Sequence, residues 1–398
     1  MTGPLDGVRV LDLSRVIAGP HAGRILADLG ADVIKLEPPE ADITRRARPR
    51  RADVSVYFTH QNAGKRCVSI DLGRPEGLSA AKRIAVASDV VLDNFRPGVM
   101  ERLGLDHDTL SANNPRVISC SVTGYGRDGP AAGRRAYAPV IHAEAGLVDF
   151  IARKRGTDPS ATVLSYADIY AGLHAVIGIL SALHDRAASG RGRRVTISMA
   201  EALLLSHEWT AVELAGGPGD KPHVFGAWAS PVAQLGDRTW ISSSGDAVST
   251  FPQWAAACGH PEALDDPRFA TKEARQANRD DMDKTIASWV SEFDSVEALE
   301  AACEPHQIAI GVVRTLDEAA TSDWAKAAGS IAWLDDRGGD TVGVPRTPYR
   351  IDGLQTGPSA VGAWQGEHNR EILREVGLSD AEINELEASS VLVSRPPR

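Results

Sequence analysis

Asp168 stands near the front of the apolar stretch SYADIYAGLHAVIGILSAL (165–183) and is its only acidic residue. Two chemistries fit an acid in that place. At a helix N-terminus a carboxylate accepts hydrogen bonds from unpaired backbone N–H groups and meets the positive end of the helix dipole. The same surroundings also keep a carboxylate ionised and aimed into a cleft, and only the ionised form attacks a carbonyl carbon. Asp168 is therefore either a helix-capping acid or a candidate nucleophile.

A second candidate is DNFRPGVMERLGL (93–105), where a strand-like run meets a Pro-Gly turn and a short helix. Arg96 and Arg102 are of a type that meets phosphates, and Phe95 of a type that lies against a ring. The competing reading is a solvated loop with a packed Phe. The third is GYGRDGPAAGRRAYAP (124–139), whose four glycines and two prolines mark a loop with tight turns. Arg127, Arg134 and Arg135 make it basic, and successive backbone N–H groups in such a loop can cradle an anion. Solvated surface arginines are the alternative.

Other chemistries lack their signatures. His21, His60, His142, His174 and His207 are scattered, with no HExxH spacing, and no GxSxG elbow is present. Cys67, Cys120, Cys258 and Cys303 form no CxxC pair, so reduced thiols and no metal site are expected. The turn RVIAGPHAG after the first strand-like run lacks GxGxxG, which weighs against a nicotinamide dehydrogenase.

The elements that must position these residues alternate. Strand signals fall on Val8–Ser14, Ala31–Glu37, Arg66–Leu72, Asp89–Phe95 and Val117–Gly126. Between them lie a turn at Ala18–Pro20, a helix over His21–Gly30 and a helix over Pro75–Ala87. This pattern predicts an α/β fold with a doubly wound, parallel, Rossmann-like sheet, with ligands beyond the carboxyl ends of its strands. A further strand and helix are expected within Gly190–Leu205. GGPGDKP (216–222) reads as a linker between a large α/β domain, 1–215, and a smaller α+β unit, 223–328, with a hairpin near 234–245 and helices over 251–257 and 282–293. The segment 329–398 is rich in Gly, Pro and Asp and ends in two helical runs.

The 398 residues suffice for two domains, and the net charge of −10 excludes general nucleic-acid binding while allowing a local basic pocket. Asp6, Arg9, Asp12 and Arg15 interrupt any leader-like apolar run, and no run reaches the ~18 residues of a membrane span. A cytoplasmic protein off the membrane is expected, with Ala171–Leu183 as a buried core helix.

Taken together, the blocks LDGVRVLDLSRVIAGPHAGRILADLGADVIKLEPP, NAGKRCVSIDLGRPEG, DNFRPGVMERLGL, NPRVISCSVTGYGRDGP, ADIYAGLHAVIGILSAL and GEHNREIL resemble, in order and number, the family III CoA-transferases, also called the CaiB/BaiF family. The resemblance implies that 329–398 returns to a large CoA-binding domain around a smaller inserted one, and that two chains form an interlocked homodimer. It implies Asp168 as the nucleophile. It places coenzyme A contacts at Ile17, at Asp71, Leu72 and Gly73, at Asn94, Phe95 and Arg96, and at Arg102 and Arg135, the last where some members have lysine. It implies an acyl-CoA donor and a carboxylic acid acceptor as substrates. CoA would pass between them through an aspartyl mixed anhydride and an aspartyl-CoA thioester, with no metal and no nicotinamide.

Two departures stand out. Ser242–Ala247 (SSSGDA) has a single glycine where some members have a glycine run, which leaves the role of that loop open. Ala136-Tyr137 stands where the superfamily's racemases carry a His-Asp pair, which favours transfer over the alternative of an acyl-CoA racemase or epimerase. A CoA-binding protein without turnover is the other alternative.

Overall fold

The computed structural model describes residues 3–217, 230–243 and 245–395. Six strands form one sheet: β1 (Arg9–Asp12), β2 (Asp32–Glu37), β3 (Arg66–Ser69), β4 (Val90–Asp93), β5 (Ile118–Thr123) and β6 (Arg194–Ser198). They run in the order β3-β2-β1-β4-β5-β6, and every pairing is parallel. The inner strands are short, nearly unbroken apolar runs. Val10, Leu11, Ile34, Val90, Leu92 and Ile118 have no exposed surface, as expected of parallel strands covered on both faces.

Each face of the sheet carries its own core. On one, α1 (Ala18–Asp28) and α3 (Tyr166–Ser189) pack with Val10, Val33, Val90, Leu92 and Cys120. On the other, α2 (Pro75–Val86) packs with Leu11, Ile34, Val68 and Val91, joined there by Ile372, Leu373, Ile383 and Leu386 of the two C-terminal helices. Those helices are tied to the β3 edge by polar contacts. Asn369 Oδ1 accepts the Ser69 N–H at 2.8 Å, and Arg66 pairs with Glu375 at 2.7 Å.

The order of the strands reverses direction between β1 and β4. In open parallel sheets that point, beyond the carboxyl ends of the strands, is where ligands bind. The segments that leave β1, β3 and β4 there are Leu13–Ile17, Ile70–Gly73 and Asn94–Arg96.

Two expectations are corrected. Ala18–Pro20, read as a turn, is the first turn of α1. Pro20 is tolerated there because the first N–H groups of a helix have no intrahelical acceptor. Ala171–Leu183 is part of a longer, 24-residue helix that is buried on one face only: Ala167, Ala171, Ala175 and Ile179 have no exposure, whereas Ile177 is 58% exposed. By length and composition this helix would be apolar enough to cross a membrane, but its small-residue face belongs to the core beside α1.

The chain divides into two compact units, residues 1–210 with 323–398, and residues 211–322. Within the second, Val232–Leu235 and Arg238–Ser242 form an antiparallel hairpin extended by Ile310–Val312. Trp240, Trp254, Val290 and Leu299 make its core. Residues 218–222 of the expected linker, and His223 after them, lie outside the described residues, as does Ser244 of the Ser242–Ala247 loop.

Candidate active site

The turn between β1 and α1 is held from beneath by buried charge. Asp12 Oδ2 pairs with Lys65 Nζ at 2.8 Å, and Asp42 Oδ2 lies 3.3 Å from Lys35 Nζ; all four side chains are at most 1% exposed. Lys35 donates to the Ser14 carbonyl, the Ser14 N–H donates to Asp12 Oδ1 at 3.0 Å, and the Val16 N–H donates to Asp42 Oδ2 at 3.1 Å. Burial pushes the Asp12 carboxyl up, but Lys65 and Lys35 outweigh it and hold it below its usual range. Burial also acts upward on Asp42, and Lys35 with the Thr44 and Val16 amides brings it down to about 2. These contacts enforce an unusual backbone. Val16, a β-branched residue, sits at φ +68°, a left-handed conformation that costs on the order of 1–3 kcal/mol and persists only where its surroundings over-determine it.

The turn is joined to the end of β4 by a reciprocal pair. The Arg15 N–H donates to Asn94 Oδ1 at 2.8 Å, and Asn94 Nδ2 donates to the Arg15 carbonyl at 2.7 Å. Next to Asn94, the Asp93 carboxyl accepts the Phe95 N–H at 3.0 Å and the Ser121 hydroxyl at 2.6 Å; burial pushes its pKa up to about 6. Phe95 then forms one wall of a cavity of about 180 Å³, whose other lining includes Arg15, Asp71, Leu72 and Gly73. The Asp71 carboxylate closes its own turn by accepting the Gly73 N–H at 2.8 Å.

Four of the nine expected CoA-contact residues, Asp71, Leu72, Gly73 and Phe95, thus share one cavity, and Asn94 braces its wall. Ile17 is buried as the residue that caps α1. Arg96, Arg102 and Arg135 do not line the cavity. They are exposed, and no acid pairs with them among the described residues; the same holds for Arg15, whose guanidinium lies 5.8 Å from the Phe95 ring centre. Of the three arginines in the glycine-rich loop, two are already engaged: Arg127 with Glu101 at 2.5 Å and Arg134 with Glu144 at 2.8 Å. Arg135 is the one left available to an anion.

Asp168 lies on the first turn of α3, half-buried. Burial pushes its carboxyl up to about 6, opposed by the hydrogen bond from the Ala18 N–H at the start of α1. The close approach has a steric cause one turn further on. A Cβ on Gly172 would stand 2.7 Å from the Ala18 carbonyl oxygen, so glycine at this point lets α3 press against the opening turn of α1. A helix N-terminus aimed at a carboxylate is also an anion site, able to stabilise negative charge as it develops there.

Tyr57, on the helix Val56–Asn62, is a neighbour that the sequence does not reveal. Burial raises its phenol, and the Asp168 charge adds to the rise. Its one sequence signal is an aromatic just inside a helix capped by Ser55. His21, on α1, hydrogen-bonds Gln61 at 3.3 Å, and burial lowers it to about 4, so it stands neutral beside α3.

We expect Asn94→Ala to raise the KM for acyl-CoA roughly 5- to 150-fold, the equivalent of two lost hydrogen bonds of about 0.5–1.5 kcal/mol each, while changing kcat little. Steady-state kinetics at saturating acceptor would show this, and an unchanged KM would disconnect the Arg15–Asn94 pair from binding.

The parallel sheet, the crevice at its switch point and the carboxylate at the helix ends define a doubly wound α/β protein with a candidate ligand crevice and a candidate nucleophile. Residues 5–369 match the model of CoA-transferase family III, and the chain belongs to that family. It is 32% identical to the succinyl-CoA–D-citramalate CoA-transferase of Chloroflexus aurantiacus over 98% of both chains. It is 33% identical to the formyl-CoA:oxalate CoA-transferase of Streptomyces avermitilis, over 98% of this chain and all of that one. A crystal structure of a CaiB/BaiF family protein from Brucella suis superposes with a TM-score of 0.81 at 30% identity, covering 94% of this chain and 100% of that one.

Proposed function

We propose that the protein moves CoA from an acyl-CoA thioester to a free carboxylic acid, with Asp168 as the covalent nucleophile. The observation that carries this reading is the close approach of the N-terminal turns of α3, which bears Asp168, and α1 at Gly172 and Ala18, directly after the turn whose Leu13 and Arg15 wall the switch-point cavity. One loop thereby links a place for the nucleotide to a place for the reacting carbonyl.

In the first step an Asp168 oxygen bonds to the thioester carbonyl carbon, the C–S bond breaks, and CoA leaves as thiolate. The product is a mixed anhydride of Asp168 and the donor acid. The thiolate then attacks the aspartyl carbonyl and releases the donor carboxylate, leaving an aspartyl-CoA thioester. The acceptor carboxylate attacks that thioester, expelling the thiolate and forming a second anhydride. The thiolate attacks the acceptor's carbonyl, giving the new acyl-CoA and the free Asp168 carboxylate. One thioester replaces another, so no net proton or external energy source enters. Helix N-terminal amides stabilise each oxyanion; one such donor is worth about 3 kcal/mol in enzymes where it has been removed. The exposed Arg96, Arg102 and Arg135 serve the phosphates of CoA, and binding that distant part holds the thioester against the nucleophile.

The donor and acceptor named for the relatives are carboxylic acids and their CoA esters, and the same substrate class is proposed here. We further propose that the unit containing the six-stranded sheet is the CoA-binding domain, and that two copies pair as an interlocked homodimer. Val163 at 96%, Leu205 at 73% and Ile177 at 58% exposed leave apolar surface for a second copy to cover.

An acyl-CoA panel incubated with free acids tests the reaction, with mass spectrometry of the CoA products and hydroxylamine trapping at Asp168. A hydroxamate at Asp168 together with a new acyl-CoA supports it. Deuterium entering the α-carbon without acid exchange would instead make the protein a racemase. Tight CoA binding with no exchange over the whole panel would make it a binding protein.

A further inference from the structure

The helix that carries Asp168 begins without a cap of its own. Ser165 occupies the capping position, but its side chain makes no hydrogen bond to the first turn. The bond comes from another element. His142, on the helix Ala138–Glu144, is 1% exposed, and its Nε2 accepts the Ala167 N–H at 3.0 Å. Ala167 immediately precedes Asp168 and is itself fully buried.

This contact fixes the protonation of the ring. A nitrogen that accepts an N–H has no proton, so the neutral imidazole carries its hydrogen on Nδ1. Nδ1 lies 2.7 Å from Thr162 Oγ1, and the Thr162 hydroxyl in turn donates to the Leu164 carbonyl at 3.0 Å. The three bonds run in one direction: Ala167 N–H to His142 Nε2, His142 Nδ1–H to Thr162, Thr162 O–H to Leu164. Each donor and acceptor in the chain is used. Tyr166 is an aromatic neighbour, with ring centres 6.0 Å apart, and burial lowers the imidazole's pKa, in keeping with a neutral ring.

We propose that His142 is a positioning residue for the nucleophile: clamped between Thr162 and the Ala167 N–H, it fixes the first turn of α3 and with it the aim of Asp168 at the start of α1. The inference rests on reading Asp168 as the nucleophile. A displacement of about 1 Å in a reacting group can cost on the order of 100-fold in rate, so a loosened first turn acts on the chemical step and not on binding of the distant nucleotide.

The test compares wild type with His142→Leu, His142→Gln and Thr162→Val, measuring kcat, KM for acyl-CoA and the yield of hydroxylamine-trapped Asp168. His142→Leu is expected to lower kcat about tenfold or more with KM held within about twofold, and to lower the trapped yield. His142→Gln restores most of kcat, because its amide oxygen accepts from Ala167 while its NH2 group donates to Thr162. Thr162→Val, at a partly exposed position, lowers kcat severalfold and decides the matter if His142→Leu does not fold. Wild-type kcat in His142→Leu or in Thr162→Val overturns the inference, as does a His142→Gln variant no better than His142→Leu. An Asp168 adduct in wild type with undiminished yield in His142→Leu overturns it alone. No adduct in wild type overturns the nucleophile, and this inference with it.

Discussion

Asp168→Ala abolishes CoA exchange, by at least about three orders of magnitude, and leaves acyl-CoA affinity within a few-fold of wild type. The size of the loss follows from the covalent route: when a residue forms the intermediate, removing it leaves only binding and oxyanion stabilisation to act. No neighbour can stand in. Asp93 is buried, with its oxygens taken by the Phe95 N–H and the Ser121 hydroxyl, and Asp71 is folded back on the Gly73 N–H. The affinity is retained because the cavity wall, the Arg15–Asn94 pair and the exposed arginines Arg96, Arg102 and Arg135 are all separate from the Asp168 side chain. Calorimetric titration with acyl-CoA beside an exchange assay measures both halves. Near-wild-type exchange by this variant would refute the covalent mechanism.

What could be read from the chain, and what could not, divides by range. The parallel strands were legible because each is a short apolar run bounded by turn residues, and the burial of Val10, Leu11 and Val90–Leu92 is what such runs require. The convergence of Phe95 with Asp71, Leu72 and Gly73 follows from the rule that ligands meet strand ends, once β4 and β3 lie on either side of β1 and β2 in one parallel sheet. The start of α1 was misread because Gly-Pro usually marks a turn, although Pro in the first turn of a helix loses no hydrogen bond. Equal charge on Arg127, Arg134 and Arg135 concealed a difference: Glu101 and Glu144 engage two of them, and those acids come from other elements. The same limit hides the Asp12–Lys65 and Lys35–Asp42 pairs and the strained Val16. A lysine within or just before a strand reads as an exposed residue until its partner, 53 positions away in the case of Lys65, is folded onto it. His142 was set aside as one of several scattered histidines. Its meaning lies in an N–H 25 residues later, which no local pattern displays.

Asp168→Asn makes the protein more stable than wild type at neutral pH, and the gain disappears in acid. Burial raises the Asp168 carboxyl from its ordinary 3.8 to about 6, so the folded state holds this proton more tightly than the unfolded chain does. Below about pH 4 the group is protonated in both states and contributes no penalty. As pH rises from about 4 to 6 the unfolded chain gives up its proton first, and stability falls. Above about 6 the penalty is complete and constant. Two pKa units correspond to about 3 kcal/mol, and for a half-buried group in contact with solvent the realistic size is on the order of 1–2 kcal/mol. Asparagine keeps the shape and the acceptor for the Ala18 N–H without the charge, so it should gain that amount at pH 7.5 and nothing at pH 4. Thermal melts of both proteins across this range measure the difference; equal midpoints at pH 7.5, or a gap that widens in acid, would contradict the assignment. Activity should move in the opposite sense, with wild-type kcat/KM rising about tenfold per pH unit up to about 6 and then levelling, because only the ionised carboxylate attacks. The two effects have one origin. A carboxylate taken partly out of water is a costlier anion and a stronger nucleophile, and acylation relieves the cost because the anhydride it forms is uncharged.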